Sequence, residues 1–204
     1  MQNNFYLQHG KRIFDFLASL LGLVILSPLL VIIALCIRVS DKSPVIYRSR
    51  RLGQGWRTFN LLKFRTMVLN AEKAGPLVTK GDDPRIIPIG KFLRKTKLDE
   101  LPQLINVLKG DMSLVGPRPE VEKYASYFPE DYREILKIKP GITDYAAIEY
   151  RDEENLLKHS GDVEKTYLEK ILPAKIKLYK TYMRNMGFFA DIKIILRTLL
   201  KIVR

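Results

Sequence analysis

The sequence predicts a mostly helical α+β fold with an N-terminal membrane helix. From Phe16 to Ile37 no residue is charged, and as a helix this run would reach about 33 Å. Apolar residues between Leu101 and Leu108 recur at helical spacing. Two short segments flank a turn with two glycines, which is typical of a small β-hairpin. We therefore expect an anchor followed by a compact core of amphipathic helices and one hairpin in residues 41–204.

Composition narrows the classes of ligand. The chain has 204 residues, one cysteine and a formal net charge of +13. Such a positive balance suits a nucleic acid, an anionic membrane surface or phosphorylated ligands. Cys36 alone excludes an intrachain disulfide. Neither a P-loop nor a dinucleotide-binding glycine motif is present, which argues against those two nucleotide-binding classes.

The apolar run carries a break in its middle, at Ser27-Pro28. Proline removes a backbone hydrogen bond and bends a helix, and the Ser27 hydroxyl would satisfy a freed carbonyl. Basic residues flank both ends of the run: Lys11, Arg12, Arg38, Lys42, Arg48, Arg50 and Arg51. An ordinary transmembrane helix fits the length, but the positive-inside rule places both flanks on the cytoplasmic side. We therefore predict a re-entrant helix-break-helix over residues 1–40.

The hairpin and the segment after it follow the anchor. Pro44–Tyr47 and Trp56–Lys63 are predicted strands around the turn RLGQG. In the motif KFRTM, residues two apart in an extended chain point to one side, so Lys63 and Arg65 share a face. The largely polar segment Val68–Pro84 is predicted to be a loop over the site.

Two adjacent carboxylates, Asp99 and Glu100, open the helix that follows a short predicted helix at 89–95. A start near Leu98 or Asp99 keeps Pro102 in the first turn, where its missing N–H costs nothing. Gly110 is placed to end the helix. Neighbouring residues on a helix diverge by about 100°, so the two carboxylates suit separate roles, such as a nucleophile and a metal ligand.

The alternative is that the pair merely complements the helix dipole. The basic residues near the pair favour a binding site over this alternative. They are Arg85, Lys91, Arg94, Lys95, Lys97, Lys109 and Arg118. Arg118 lies between two prolines, which lowers the entropy lost when its guanidinium binds phosphate. Two carboxylates amid such positive charge indicate a site for a phosphorylated substrate and a divalent cation.

Three motifs occur in order along this part of the chain. LDELPQLINVLKGDMSLVGPRP (98–119), preceded by KFRTM (63–67) and followed by KPGIT (139–143), closely resembles the bacterial sugar transferase family. These are the monotopic polyprenyl-phosphate phosphoglycosyl transferases that begin bacterial glycan assembly. The resemblance extends from Lys11 to Ala147 and, more weakly, to the C-terminus. It implies a re-entrant anchor in the bacterial inner membrane and a catalytic domain, residues 41–204, that faces the cytoplasm.

The resemblance also implies a reaction and its residues. A sugar 1-phosphate would pass from a UDP-sugar to polyprenyl (undecaprenyl) phosphate through a covalent intermediate on Asp99. Glu100 would act with it and hold Mg²⁺. The implied phosphate-binding residues are Lys63, Arg65, Arg94 and Arg118. Asp191 corresponds to a family aspartate, and we expect a structural role for it.

One stretch departs from the family pattern. Many members carry glycine and tryptophan where this chain has Asp144 and Tyr145. By resemblance this region is tied to the choice of nucleotide sugar, and it leads into the acidic stretch EYRDEENLL (149–157). We therefore leave the identity of the sugar open.

The C-terminal part is predicted to be helical. We expect helices at Glu120–Lys137, Tyr167–Arg184 and Phe188–Arg204. In the last of these, basic residues recur every three to four positions, which fits a helix in the membrane interface with snorkelling side chains. A helix packed on the core is the alternative.

A binding module is the second class of function that the sequence suggests. A membrane-anchored basic module that binds anionic lipid or nucleic acid would explain the charge, but it would not explain Asp99 and Glu100. We expect the enzyme, with membrane lipid and the two substrates as partners and without nucleic acid. The oligomeric state is left open, with a dimer among the options.

Overall fold

The computed structural model describes residues 6–41, 43–80, 83–158 and 160–203. Residues 1–5 of the N-terminal lead-in, Lys42 of the predicted basic flank and Arg204 lie outside these ranges. Within them the fold is mostly helical with two small sheets, as the sequence predicts.

The apolar anchor is helix α1 (Lys11–Asp41), which follows a π-type turn at Tyr6–Gly10. Pro28 lies inside α1 and has no N–H to offer the carbonyl of Val24. The hydroxyl of Ser27 donates to this carbonyl at 2.8 Å, so the predicted local compensation is present. Within its most apolar stretch, of mean hydropathy 3.0, only 11% of residues are buried. By length and composition α1 could cross a membrane.

The predicted hairpin is present, but its first strand extends further than expected, because Arg51 and Leu52 of the predicted turn belong to the strand. Strands β1 (Ile46–Leu52) and β2 (Thr58–Phe64) pair antiparallel. Gly55 takes a positive φ of 67° in the turn between them, a conformation that suits glycine. After a loop, helix α2 (Pro88–Lys95) begins with a proline, whose missing N–H would have no helical partner there.

The carboxylate-bearing stretch begins with a 3-10 turn at Leu98–Glu100, and helix α3 (Gln103–Lys109) follows Pro102. The regular helix therefore starts later than predicted, because the tighter turn precedes it. Gly110 ends α3 with a φ of 89°, as expected.

A short parallel pair follows α3. Strand β3 (Ser113–Val115) pairs with β4 (Gly141–Thr143). Each strand has three residues, too few to show the alternation that identifies a strand in a sequence. The sequence therefore predicts neither strand.

The C-terminal half consists of short helices followed by two long ones. The single helix expected at Glu120–Lys137 is instead α4 (Glu122–Ala125) and α5 (Pro129–Ile135), because Pro129 cannot continue a helix from the preceding residues. The others are α6 (Tyr145–Glu149), α7 (Glu153–Leu157), α8 (Val163–Thr166), α9 (Leu172–Arg184) and α10 (Phe188–Val203).

Both halves of α1 pack against the rest of the protein. Near its start, the Arg12 guanidinium donates to the carbonyls of Val107 and Leu108 at the end of α3, at 2.6 and 2.8 Å. Near its end, Ile37 belongs to a buried cluster with Leu93 of α2. The anchor is therefore joined to the segments that carry the candidate site at two distant points.

Asp191 ties the last helix to the first. Its buried carboxylate accepts from Lys11 at 2.5 Å, Tyr6 at 2.7 Å and Tyr182 at 2.8 Å. These contacts hold α10 against the base of α1 and support the structural role expected for Asp191.

Candidate active site

A cavity of about 1050 Å³ gathers the residues that the sequence singled out. It is bounded by the hairpin, the loop after it, the start of α3 and the C-terminal helices. All six candidates line it: Lys63, Arg65, Arg94, Asp99, Glu100 and Arg118. They come from four different segments of the chain, so the fold alone brings them together.

Asp99 lies in the 3-10 turn and is 5% exposed. Within the described parts of the chain, its Oδ1 atom has no hydrogen-bond partner. Burial raises the pKa of Asp99 to about 6, and the charge of Lys63 opposes this rise. At neutral pH the group is therefore mostly an ionised carboxylate with one uncommitted oxygen, which is the state a nucleophile needs.

Both carboxylate oxygens of Glu100, the next residue, accept hydrogen bonds. Its Oε1 accepts from Lys63 Nζ at 2.9 Å, and its carboxylate accepts two bonds from the Arg118 guanidinium, one of them 2.9 Å long. Burial opposes ionisation of Glu100, but the charges of Arg118 and Lys63 outweigh it and hold its pKa well below the usual range. The pKa values of these two adjacent carboxylates are therefore shifted in opposite directions.

The pKa values of the two cations around Glu100 shift in opposite directions. Burial and the neighbouring Arg118 lower the pKa of Lys63, although Glu100 partly offsets them. For Arg118, burial lowers the pKa, but the charge of Glu100 and its hydrogen bonds together outweigh burial and raise the pKa. Lys63 belongs to β2, and Arg118 lies in the loop after β3.

Arg94 of α2 is paired with an acidic residue that the sequence did not connect to it. Its Nε donates to Glu154 of α7 at 3.1 Å, and its Nη2 donates to the same carboxylate. Nη1 also donates to the hydroxyl of Thr66 at 3.3 Å. The partners are 60 residues apart, so no local pattern could have indicated this pair.

Arg65 is buried and contacts backbone. Its Nε donates to the carbonyl of Pro44 at 2.6 Å and its Nη1 to that of Met67 at 3.2 Å. These bonds hold the chain before β1 and the chain after β2 together at the cavity wall.

Sequence reasoning missed an ion pair in the same cavity. Glu153 of α7 pairs with Lys175 of α9, and both side chains line the cavity. Lys175 lies in a helix with many lysines, so its sequence context did not distinguish it from the exposed ones. Glu153 was noted only as part of the acidic stretch.

The Glu100 carboxylate fits a magnesium ion that is shared with a diphosphate. Over the described ranges, no group of three or more His, Cys, Asp or Glu side chains is placed to hold a metal. Magnesium at phosphoryl-transfer sites needs only one or two carboxylates, because substrate phosphates and water complete its shell. Glu100 supplies one such carboxylate, because its Oε2 accepts one bond, from Arg118, and keeps a lone pair for the ion.

One end of the cavity is apolar. One face of α1 and one face of α10 line it, through Phe14, Ala18, Gly22, Leu26, Ile192, Ile195, Leu196 and Leu199. A pocket for a single small ligand measures about 300–1000 Å³. The cavity, of about 1050 Å³, lies at the upper end of this range and combines charged and apolar walls.

Comparison with known proteins identifies relatives along nearly the whole chain. A family model described as "Bacterial sugar transferase" matches residues 6–204. The UDP-N-acetylgalactosamine-undecaprenyl-phosphate N-acetylgalactosaminephosphotransferase of Aeromonas hydrophila is 34% identical over 93% of this chain and 42% of its own length. The UDP-glucose:undecaprenyl-phosphate glucose-1-phosphate transferase of Escherichia coli (strain K12) is 38% identical over 94% of this chain and 39% of its own length.

A third relative is closer in size. The exopolysaccharide production protein ExoY of Sinorhizobium fredii is 33% identical over 93% of this chain and 84% of its own length. The chain thus spans about two fifths of the length of the Aeromonas and Escherichia relatives and most of the length of the Sinorhizobium one.

Proposed function

The chain belongs to the bacterial sugar transferase family, and on this premise we propose that it transfers a sugar 1-phosphate from a UDP-sugar to polyprenyl (undecaprenyl) phosphate. The observation that carries the proposal is the uncommitted carboxylate oxygen of Asp99 in a cavity with fixed cations at one end and an apolar wall at the other. The names of the Aeromonas and Escherichia relatives, which both include undecaprenyl phosphate, support the acceptor.

The reaction proceeds in two displacements. The Asp99 carboxylate attacks the phosphorus that bears the sugar, the bond from that phosphorus to the UMP oxygen breaks, and UMP leaves. An oxygen of polyprenyl phosphate then attacks the same phosphorus, and the acyl–phosphate bond breaks. The products are a polyprenyl diphosphosugar and the regenerated carboxylate. One difficult displacement between two anions is thereby divided into two.

The surrounding side chains hold the charge that moves during these steps. Lys63, Arg94 and Arg118 are within the cavity and donate to phosphate oxygens as negative charge shifts between them. Glu100, together with the substrate phosphates, would hold Mg²⁺, which neutralises part of the diphosphate charge when bound. Asp99 stays free for attack because Glu100 takes the bonds from Lys63 and Arg118.

The anchor places this site at the membrane surface. We propose that α1 is re-entrant and that both its ends lie on the cytoplasmic face of the bacterial inner membrane. The contacts of Arg12 and Ile37 with the same body of the protein support this topology, as do the basic residues on both flanks. The exposed apolar residues Phe92 on α2 and Phe189 on α10 support interfacial contact of those helices.

The binding-module alternative is not favoured. It explains the net charge of +13, but family membership and the Asp99–Glu100 arrangement both support an enzyme.

The test is a search for the covalent intermediate. Purified protein with Mg²⁺ and a panel of UDP-sugars, without acceptor, should release UMP and gain the mass of one phosphosugar. Asp99→Asn should do neither, whereas the surface variant Asp131→Asn, on α5, should behave as the wild type. Near-normal UMP release by Asp99→Asn would remove Asp99 from the nucleophile role. No UMP release by the wild type from any UDP-sugar, with or without acceptor, would overturn the proposed function.

A further inference from the structure

The cavity contains a polar compartment that the proposed chemistry does not use. Glu153 and Lys175 form an ion pair there, with side chains 20% and 8% exposed. The Lys175 ammonium lies 5.9 Å from the ring centroid of Tyr150 and 5.2 Å from that of Tyr167. These four residues line the cavity, and we call them the ion-pair compartment.

Stability alone gives no reason for charges at this wall. Removing an ion pair from water costs about as much as its attraction returns, and apolar residues of the same size are often equally stabilising. Yet Lys175 is the buried lysine of a helix whose other lysines, Lys177 and Lys180, are at least partly exposed. The placement of Lys175 and Glu153 is explained by recognition of a polar ligand.

The compartment adjoins the cations that hold phosphate in the proposed reaction. Glu153 directly precedes Glu154, which is bonded to Arg94. The charge of Glu153 also acts on Arg118, because it contributes to the raised pKa of that residue. If a phosphate binds Arg94 and Arg118 as proposed, a group attached to that phosphate would lie next to the ion-pair compartment. In the proposed donor, that group is the sugar.

The chemistry of the walls matches a neutral sugar. The Glu153 carboxylate accepts from hydroxyl or amide N–H groups, and the Lys175 ammonium donates to hydroxyl or amide oxygens. The aromatic ring of Tyr150 offers a flat apolar surface for the C–H face of a pyranose. A polyprenyl chain supplies no polar partner for either charge, and the apolar end between α1 and α10 suits it instead.

We propose that the ion-pair compartment binds the sugar of the nucleotide donor and that Glu153 and Lys175 determine which neutral sugar is accepted. This inference rests on the proposed function. A sugar with an acidic substituent is disfavoured by the two adjacent carboxylates Glu153 and Glu154, and one with an amino group by Lys175.

Equilibrium binding separates the sugar from the nucleotide. The affinity of purified full-length protein for UDP is compared with its affinity for each member of a panel of neutral UDP-sugars, in the wild type, Glu153→Gln and Lys175→Met. For the sugar that the wild type binds best, each variant should lose affinity by about 10- to 100-fold, the range for a hydrogen bond to a charged group. Affinity for UDP should stay within about twofold of the wild type.

The matched control is Glu149→Gln, an exposed carboxylate at the end of α6, which should alter neither affinity. Tyr150→Leu removes the aromatic ring and should weaken sugar binding, while affinity for UDP stays within about twofold of the wild type. The order of preference among the UDP-sugars should also change in Glu153→Gln.

Three results would overturn the inference. One is a wild type that binds no UDP-sugar more tightly than UDP. Another is an equal loss for UDP and UDP-sugars in the variants, which would assign the compartment to uridine or to folding. The third is unchanged sugar affinity in both variants. A wild type that binds UDP-sugars through this compartment without releasing UMP would instead overturn the proposed reaction and leave the sugar subsite standing.

Discussion

At the scale of single residues, the main feature is the contrast between two neighbouring carboxylates. Asp99 and Glu100 occupy a 3-10 turn, in which successive side chains diverge by about 120°. One faces the cavity with a free oxygen and a pKa of about 6, and the other is bound by Lys63 and Arg118 with a lowered pKa. Local backbone geometry thus points the two side chains in different directions, and the cations around Glu100 leave the Asp99 oxygen without a partner among the described residues.

Replacement of Glu100 tests that separation. Glu100→Gln leaves Lys63 and Arg118 without their carboxylate partner and removes the proposed Mg²⁺ ligand. We expect UMP release to fall by about 100-fold or more and to need a higher Mg²⁺ concentration, measured as initial rate against Mg²⁺. Glu122→Gln, at an exposed position of α4, is the control. An unchanged rate and Mg²⁺ dependence in Glu100→Gln would contradict the assignment.

The buried Asp144 makes stability depend on pH. Its Oδ1 caps α6 by accepting from the Ala147 N–H at 2.6 Å, while its Oδ2 has no hydrogen-bond partner among the described residues. Burial raises the pKa of Asp144 from 3.8 to about 6, against the Ala147 bond and the charges of Arg118 and Lys175. The charge of Asp144 in turn helps to raise the pKa of Tyr179. The folded state therefore holds the proton more tightly than the unfolded state.

This shift sets the sign of the expected effect. The contribution of Asp144 to stability is greatest below pH 3.8 and is lost as pH rises to about 6. The ionised form then costs on the order of 1–3 kcal/mol. Asp144→Asn keeps a capping acceptor and removes the charge, so it should stabilise the protein by about 1 kcal/mol more at pH 8 than at pH 5, as measured by thermal unfolding in detergent.

The matched control for this prediction is Asp162→Asn. Asp162 caps α8 by accepting from the Lys165 N–H at 2.9 Å, but it is exposed. Its replacement should give no gain that depends on pH. An equal gain at both pH values in Asp144→Asn would show that the buried charge is not the cause.

At the scale of elements, close backbone contacts position the cations. The parallel pair β3–β4 brings the Arg118 loop beside Asp144, and the main chains of Gly116 and Gly141 touch there. Helix α2 is fixed in the same way. A Cβ on Gly90 would lie 2.2 Å from the carbonyl oxygen of Thr66, so only glycine permits the observed approach. Arg94 reaches the cavity because α2 packs this closely.

Gly90→Ala tests the role of that contact. The clash with backbone must push α2 away, which we expect to destabilise the protein by about 1–3 kcal/mol. Catalytic efficiency for UMP release should fall as well, because Arg94 moves with the helix. Gly161→Ala is the control, since a Cβ there meets nothing within 4 Å. Wild-type stability and activity in Gly90→Ala would contradict this account of α2.

At the scale of the whole molecule, the anchor helix forms part of the cavity wall. The N-terminal half of α1 lines the apolar end of the cavity, and the C-terminal half packs on α2. Under the proposed function, the polyprenyl chain would lie along this apolar face of α1. In the proposed topology, the positive charge on both flanks of α1 faces anionic headgroups.

Cysteine labelling tests the topology. In a Cys36→Ser background, single cysteines at Leu7 and Arg50, both exposed positions, flank α1. We expect both to react with an impermeant maleimide in inverted membrane vesicles and neither to react in intact spheroplasts. The detergent-solubilised variants, in which both sites should react, provide the control. Labelling of the two sites from opposite faces would establish a spanning helix and exclude the re-entrant anchor.

By itself, the sequence determined the helical α+β class, the apolar anchor with Pro28 inside it, the presence of a hairpin and the glycine that ends α3, because each depends on local spacing and backbone preference. It also drew attention to Asp99 and Glu100. Only the tertiary structure decided which carboxylate stays free, because that depends on cations from β2 and the loop after β3. Likewise, the Arg94–Glu154 and Lys175–Glu153 pairs join helices far apart in the chain. No local pattern specifies such pairs, since they arise only when separate elements pack around one cavity.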